Sequence, residues 1–266
     1  MAMTEDDARM RLDALMTERG IVQTRARARD AILRGHVLVD GAVTKKPGLR
    51  VEADCRIDLT DPAASYVSRA ALKLIAGLDA FDIEAEDRLC LDIGASTGGF
   101  SQVLLERGAA RVVAFDVGHD QMHASLLGEE RLTNVEGLNA RDLTSEDLDG
   151  MVPELLVADV SFISLRLALP PALDLAAGGA RGLFLIKPQF EAGREAIGKG
   201  GLLKDPASAE AVAKSLGEWL AEQPGWRVDG MIPSPISGGD GNREFILAAT
   251  KAGPDAGTSP NAEDGA

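Results

Sequence analysis

The sequence Leu91-Asp92-Ile93-Gly94-Ala95-Ser96-Thr97-Gly98-Gly99-Phe100 decides the fold of this chain of 266 residues. Its apolar start predicts a buried strand, and the glycines after it allow a tight turn into a helix whose first amides face a ligand. The next apolar run ends at Asp116, 22 residues after Gly94, where a carboxylate can bind ribose hydroxyls. NAD and S-adenosylmethionine sites share this geometry, but serine at position 96 replaces the middle glycine of the NAD pattern.

Strand and helix patterns alternate on both sides of this loop from residue 66 onward, which predicts an α/β domain with a parallel sheet. We expect strands near 88–93, 111–116, 153–159, 181–187, 226–232 and 244–250, and a weaker one near 134–137. The length suggests about two domains. We assign residues 1–60 to a first domain, 61–65 to a linker, 66–250 to the α/β domain and 251–266 to a disordered acidic tail.

The charge is divided unevenly along the chain. Twenty-eight Lys and Arg oppose 42 Asp and Glu, so the formal net charge is −14, which argues against a uniformly basic nucleic-acid binder. Residues 11–50, however, carry +5 and the remainder −19. Such a split is a known sign of a nucleic-acid-binding module joined to a different domain.

Several classes of protein are disfavoured by composition. Cys55 and Cys90 form no CxxC pair, so we expect neither a disulfide scaffold nor a zinc site. His119 and His123 could share a helical face, but a metal would need a third ligand, and we predict no metal. The acidic start does not resemble a signal peptide and no apolar run has membrane-spanning length, so we expect a cytoplasmic protein that does not bind membranes.

The basic segment has a recognisable pattern. Leu12, Leu15 and Met16 predict one short helix, Thr24 can cap a second, and Asp40-Gly41 predicts a hairpin turn. Residues 9–58 thereby resemble the S4-type alpha-L RNA-binding motif, a small α+β domain that reads RNA shape and phosphates. The resemblance implies an RNA surface, for which we select Arg25, Arg27, Arg29, Arg34, Lys45, Lys46 and, further on, Arg69.

Four charged residues stand out in the α/β domain. Asp159, Lys187 and Glu244 fall at the ends of predicted strands, where open α/β sheets bind ligands. Lys73 lies opposite the apolar stripe of its helix, and its own pattern favours a solvated lysine.

The motifs YVSRAALKL, DIGASTGGF, FDVGHDQMH, NARDL, ADVSFISL, LIKPQFEAGREAIGKGG and GNREFIL together resemble the TlyA family, a branch of the FtsJ-like ribose 2′-O-methyltransferases. With the basic segment, the resemblance spans about residues 9–250. It implies a Rossmann-like class I methyltransferase sheet, S-adenosylmethionine as methyl donor, and methylation of a cytidine 2′-hydroxyl in 16S rRNA, 23S rRNA or both, free or in ribosomal subunits. It also implies a catalytic tetrad of Lys73, Asp159, Lys187 and Glu244. The predicted donor contacts are Asp92, Gly94, Ser96, Thr97, Gly98, Gly99, Phe100, Asp116, Asp142 and Asp159.

These residue types suit the chemistry, because transfer to a hydroxyl needs alignment and removal of its proton. Our hypothesis makes Lys187 the base or the group that positions the hydroxyl, with Asp159 orienting it and with Lys73 and Glu244 holding the ribose. Burial and a second lysine favour a neutral amine, whereas two carboxylates oppose it, so the residue types leave the identity of the base open.

Two other functions fit parts of the sequence. The RNA module alone would serve a non-catalytic RNA-binding or ribosome-assembly factor, and the TlyA-type resemblance includes proteins labelled haemolytic. The intact tetrad favours an enzyme.

Overall fold

A computed structural model describes residues 9–238 and 241–253, and contacts divide the chain between Ser65 and Tyr66 into two units, each with its own apolar core. Within these ranges, no helix is long and apolar enough to cross a membrane. Most of the predicted acidic tail, residues 254–266, lies outside the described residues.

The first unit contains two helices and two small antiparallel sheets. Its elements are β1 (Arg9–Arg11), α1 (Leu12–Glu18), α2 (Arg25–Arg34), β2 (Val37–Val39), β3 (Ala42–Val43), β4 (Arg50–Glu52) and β5 (Ile57–Leu59), with β1 paired to β4 and β2 between β3 and β5. The predicted stripe of α1 is buried against Ala28 and Ile32 of α2. The Thr24 hydroxyl accepts the Arg27 amide, as predicted for the cap, and the Asp40-Gly41 turn takes the left-handed conformation that a tight hairpin requires.

Residues 61–65, predicted as a linker, are folded onto the first unit. Asp61 forms an ion pair with Arg34, whose side chain is only 21% exposed, and the Arg27 guanidinium donates to the Ala63 carbonyl. Ala63 itself is buried. Sequence patterns cannot reveal such a contact, because the partners lie 27 and 36 residues apart.

The second unit is an α/β domain. Its elements are α3 (Ala71–Ala80), β6 (Leu89–Ile93), α4 (Gly99–Glu106), β7 (Arg111–Asp116), β8 (Leu132–Glu136), β9 (Leu155–Ala158), α5 (Leu165–Ala168), α6 (Pro170–Leu175), β10 (Arg181–Ile186), α7 (Pro188–Glu191), α8 (Ser208–Ala221), β11 (Trp226–Pro233) and β12 (Phe245–Lys251). All seven predicted strands are present within about two residues of the expected positions. Lys251, assigned to the tail, is instead the last residue of β12, and its ammonium donates to three carbonyls around the end of α6.

These strands form one sheet in the order β11-β12-β10-β9-β6-β7-β8. The prediction of a parallel sheet is wrong for β12, which runs antiparallel to both of its neighbours. The described residues of the connection at 234–244 contain no helix, whereas parallel neighbours are usually joined by a helical crossover. The reversal has a functional consequence, because it brings the start of β12 to the edge where β9 and β10 end.

The sheet is covered on both faces. Apolar residues of α5, α6 and α8 pack on one face, and those of α3 and α4 pack on the other. Because β6, β7, β9 and β10 run parallel, their carboxyl ends lie at the same edge of the sheet. Open α/β sheets bind their ligands at this edge.

Candidate active site

The glycine loop after β6 is shaped by close contacts with its neighbours. Gly94 has φ +80°, and a Cβ there would lie 2.9 Å from Val160 Cγ1 and 3.2 Å from the Asp159 carbonyl oxygen. Gly98, with φ +89°, precedes α4, and a Cβ there would overlap the Met122 sulfur. Only glycine fits these two positions, so the chain can turn sharply beside the end of β9.

Asp116 braces this loop at the end of β7. One carboxylate oxygen accepts the Ser96 amide at 2.9 Å, and the other accepts the Gly118 amide at 2.8 Å. Each oxygen retains a second lone pair, so Asp116 can still accept ligand hydroxyls. The predicted acid is thus held in place against the loop.

Two cavities meet beside the loop. The larger, of about 670 Å³, is lined by predicted and unpredicted residues, among them Gly94, Ser96, Asp116, Asn139, Arg141 and Phe162. The smaller, of about 150 Å³, is lined by the predicted Ser96, Thr97, Gly99, Phe100 and Lys187 and by Ser68. Gly94, Ser96, Asp159 and Ser161 contribute to both cavities, so their junction lies at the end of β9.

The four charged residues form one alternating ion-pair chain. Lys187 Nζ lies 2.6 Å from Asp159 Oδ1, Lys73 Nζ lies 3.9 Å from Asp159 Oδ2, and Lys73 Nζ lies 2.6 Å from Glu244 Oε2. Register explains the meeting, since Ile186 of β10 pairs with Phe245 of the reversed β12. The strand ends therefore place Lys187 and Glu244 side by side.

The helix pattern favoured a solvated lysine at position 73, and the structure shows that this interpretation is wrong. Lys73 lies opposite the apolar stripe of α3, yet it is only 7% exposed and is therefore not a solvated lysine. It is buried because Asp159 and Glu244 face it, which supplies the pairing that a buried ammonium requires. Lys73 and Glu244 are not among the residues that line the two cavities, so they lie behind Asp159 and Lys187.

Burial changes the acidity of two carboxyl groups here. It raises the pKa of Glu244 above its ordinary value, although the Lys73 ammonium opposes the shift. It also raises the pKa of Asp92 to about 7, against the effect of the Ser101 hydroxyl that donates to Oδ2 at 2.6 Å. Asp92 is completely buried and does not line either cavity, so the structure does not bring this predicted donor contact to the site.

Asp142, also predicted to contact the donor, is not among the residues that line the two cavities. Its side chain is exposed and away from both cavities, whereas Asn139 and Arg141 line the larger one. Asn139 begins the short 3₁₀ turn Ala140–Asp142, and its side chain accepts the Arg141 amide. The motif NARDL does line the larger cavity, but residue spacing alone does not predict which of its side chains do so.

Ser161 and Phe162 are site residues that the sequence reasoning missed. The Lys187 ammonium donates to the Ser161 hydroxyl at 2.7 Å, next to its ion pair with Asp159. Phe162 is 91% exposed and has φ +66°, a strained conformation for a bulky residue. Both residues lie in the motif ADVSFISL. The position of Ser161, two residues after the strand-end Asp159, was the sequence signal that could have identified it as a site residue.

The cations predicted to bind RNA fall into two groups. Arg25 is paired with the buried Asp13, Arg34 with Asp61, and Arg27 with a carbonyl, so these three stabilise the first unit. The other three, Arg29, Lys45 and Lys46, are exposed and form no ion pair with any residue in 9–238 or 241–253. Arg69, in the second unit, donates to the Ser237 carbonyl at 3.4 Å.

Comparisons with known proteins agree with this architecture. Residues 66–251 match the FtsJ-like methyltransferase model and residues 10–57 match the S4 domain model. The chain is 43% identical to the 16S/23S rRNA (cytidine-2′-O)-methyltransferase TlyA of Mycobacterium tuberculosis, over 90% of this chain and 89% of the relative. It is 36% identical to Hemolysin A of Brachyspira hyodysenteriae, over 89% of this chain and 98% of the relative.

A solved structure shows the same likeness. A Streptococcus thermophilus protein described as a candidate hemolysin superposes with a TM-score of 0.72 at 36% identity, over 92% of this chain and 89% of that one. These matches confirm the resemblance that the motifs indicated. The chain therefore belongs to the FtsJ-like methyltransferase family, in its TlyA branch, with an S4 domain ahead of the methyltransferase domain.

Proposed function

We propose that this protein transfers a methyl group from S-adenosylmethionine to the 2′-hydroxyl of a cytidine in ribosomal RNA. The observation that carries the proposal is the junction of the two cavities, where Asp159 and Ser161 hold Lys187. The M. tuberculosis relative is named as a 16S/23S rRNA (cytidine-2′-O)-methyltransferase, which supports the choice of cytidine and of rRNA.

The larger cavity suits the methyl donor. On its polar side, Asp116 can bind ribose hydroxyls, and the glycine loop offers backbone amide and carbonyl groups. On its apolar side, Phe115, Leu138 and Ile163 can contact a base. Gly94 leaves room for close approach to the backbone. S-Adenosylmethionine bound there would supply a methyl group already activated by its sulfonium.

The smaller cavity suits the target hydroxyl. Lys187 lines this cavity and is fixed by contacts of 2.6 Å to Asp159 and 2.7 Å to Ser161. In our proposal the Lys187 ammonium first releases a proton to solvent, and its neutral amine then accepts the proton of the target hydroxyl at the junction during methyl transfer. Asp159 then stabilises the resulting ammonium, and Lys73 fixes Asp159 from behind with Glu244 as its own partner.

The test is methyl transfer to isolated 30S and 50S subunits, with S-adenosylmethionine labelled in its methyl group. We expect donor-dependent label in the rRNA of one or both subunits. Subunits that bind the protein and gain no label would contradict an enzyme and favour the assembly-factor alternative. Leakage of liposomes without RNA labelling would favour the membrane activity that the hemolysin names suggest.

RNA affinity should depend on the exposed cations of the first unit. In our proposal, replacing Arg29, Lys45 and Lys46 with alanine removes phosphate contacts, so each lost contact should lower the magnitude of the slope of log K against log salt by about 0.7 to 0.9. Filter binding across a salt series measures this slope, and donor affinity should not change. An unchanged slope would show that the RNA surface lies elsewhere.

Arg34→Ala should differ from the variants at Arg29, Lys45 and Lys46 in its effect on stability. It leaves Asp61 without its ion-pair partner, so we expect a lower melting temperature of the first unit as well as weaker RNA binding. The exposed-cation variants should melt like the wild type.

A further inference from the structure

The segment 159–165 is joined to the segment 187–191 by three successive contacts. Lys187 contacts Asp159 and Ser161, the Phe190 ring lies 5.2 Å from the Phe162 ring, and Glu191 bonds to residues 164 and 165. The first contact belongs to the catalytic site already described. The last one, at Glu191, has no part in the proposed chemistry.

Glu191 uses both of its carboxylate oxygens for this contact. Oε2 accepts the Ser164 hydroxyl at 2.5 Å and Oε1 accepts the Leu165 amide at 2.7 Å. The Ser164 oxygen also accepts the Arg166 amide, so the same hydroxyl begins α5. Hydrogen bonds to a charged carboxylate are among the stronger ones in proteins.

The segment that Glu191 holds needs support. Phe162 combines a left-handed backbone with an almost fully exposed ring, a combination that persists only where neighbouring contacts impose it. Asp159 and Ser161 lie three residues and one residue before it, and Glu191 fixes the chain two and three residues after it, at Ser164 and Leu165. Release of the far end would let the segment relax and move Ser161 relative to Lys187.

We propose that Glu191 is a positioning residue for methyl transfer. Its carboxylate fixes the segment 159–165, and through that segment it sets the placement of Ser161 and Asp159 around Lys187. This inference rests on the proposed function for its kinetic consequence, but the fixation of the segment can be measured without any activity.

The test compares Glu191→Ala and Glu191→Gln, with Glu210→Ala as the control. Glu210 is an exposed glutamate of α8, outside the site, and its replacement should change nothing. We expect Glu191→Ala to lower kcat by about 10- to 100-fold, since small misplacements of reacting groups cost that much, while the donor KM changes little. Glu191→Gln should recover most of the rate, because its amide oxygen can still accept the Leu165 amide.

Hydrogen exchange supplies the second readout. In Glu191→Ala the Leu165 amide and its neighbours in 159–165 should exchange faster than in the wild type, while the strands β6 and β9 keep their protection. Ser164→Ala should lower kcat less, and adding it to Glu191→Ala should cause little further loss, because the two act through one contact.

The outcomes separate this proposal from the function on which it rests. If the wild-type protein transfers no methyl group, the proposed function is overturned. Hydrogen exchange in Glu191→Ala would still decide whether Glu191 holds the segment 159–165. An active wild type whose Glu191→Ala variant keeps its kcat and exchange rates would overturn the positioning role. A rate loss that glutamine does not rescue, with an equal loss of donor affinity, would also overturn it.

Discussion

Lys187→Ala should reduce methyl transfer by about 10³-fold while donor affinity stays close to that of the wild type. The expected size follows from the usual contribution of a positioned general acid or base, about 10²- to 10⁴-fold. The donor should still bind, because Asp116 and the apolar residues that line the larger cavity remain in place, and Lys187 lines the smaller cavity only. Single-turnover transfer and calorimetric donor binding measure the two quantities separately.

Lys214→Ala is the matched control for this variant. Lys214 lies on α8 with a side chain 77% exposed, and its removal changes the net charge equally. It should leave the rate unchanged. If Lys187→Ala keeps more than a tenth of the wild-type rate, Lys187 is not the group that handles the hydroxyl proton.

Glu244→Ala should destabilise the methyltransferase domain by about 3–5 kcal/mol, the usual effect of removing one partner of a buried ion pair. The glutamate is almost completely buried, and its loss leaves the Lys73 ammonium with Asp159 alone, at 3.9 Å. Chemical denaturation followed by tryptophan fluorescence measures the free energy of unfolding. A loss below about 1 kcal/mol would mean that the pair is solvated like a surface pair.

The double variant Lys73→Met/Glu244→Leu separates stability from catalysis. It replaces the buried pair with apolar groups of similar size, which is often neutral or stabilising. We therefore expect most of the stability to return while transfer stays low, because Asp159 has lost its support. Recovery of both stability and turnover would show that Lys73 and Glu244 serve the fold alone.

Much of the fold was predictable because its signals are local. Alternating strand and helix patterns indicated every strand of the sheet, Asp40-Gly41 indicated the hairpin, and Thr24 marked the start of α2. The direction of β12 was not predictable in this way, since a buried strand has the same pattern in either direction.

The sequence predicted which residues form the site, but it predicted less well how deeply they are buried and which of them line the cavities. Strand ends identified Asp159, Lys187 and Glu244, because carboxyl ends meet at one edge. The burial of Lys73 depends on partners 86 and 171 residues away in the chain, which no helical period encodes. Asp92 and Asp142 lie in the predicted motifs, yet neither lines a cavity, since Asp92 is buried against Ser101 and Asp142 is exposed to solvent.

The same limit applies to the RNA surface. Arg25, Arg29 and Arg34 look alike in sequence, and only the folded unit separates them by the presence of Asp13 and Asp61. Structural arginines and binding arginines therefore cannot be told apart from charge patterning alone.

The identity of the methylated nucleoside tests the central claim most directly. Subunits treated with the protein and labelled donor would be digested to nucleosides and resolved by mass spectrometry, with the Lys187→Ala variant in parallel. We predict 2′-O-methylcytidine, formed by the wild type and almost absent with the variant. A label on the cytosine base, on another nucleoside, or equal labelling by both proteins would contradict the account.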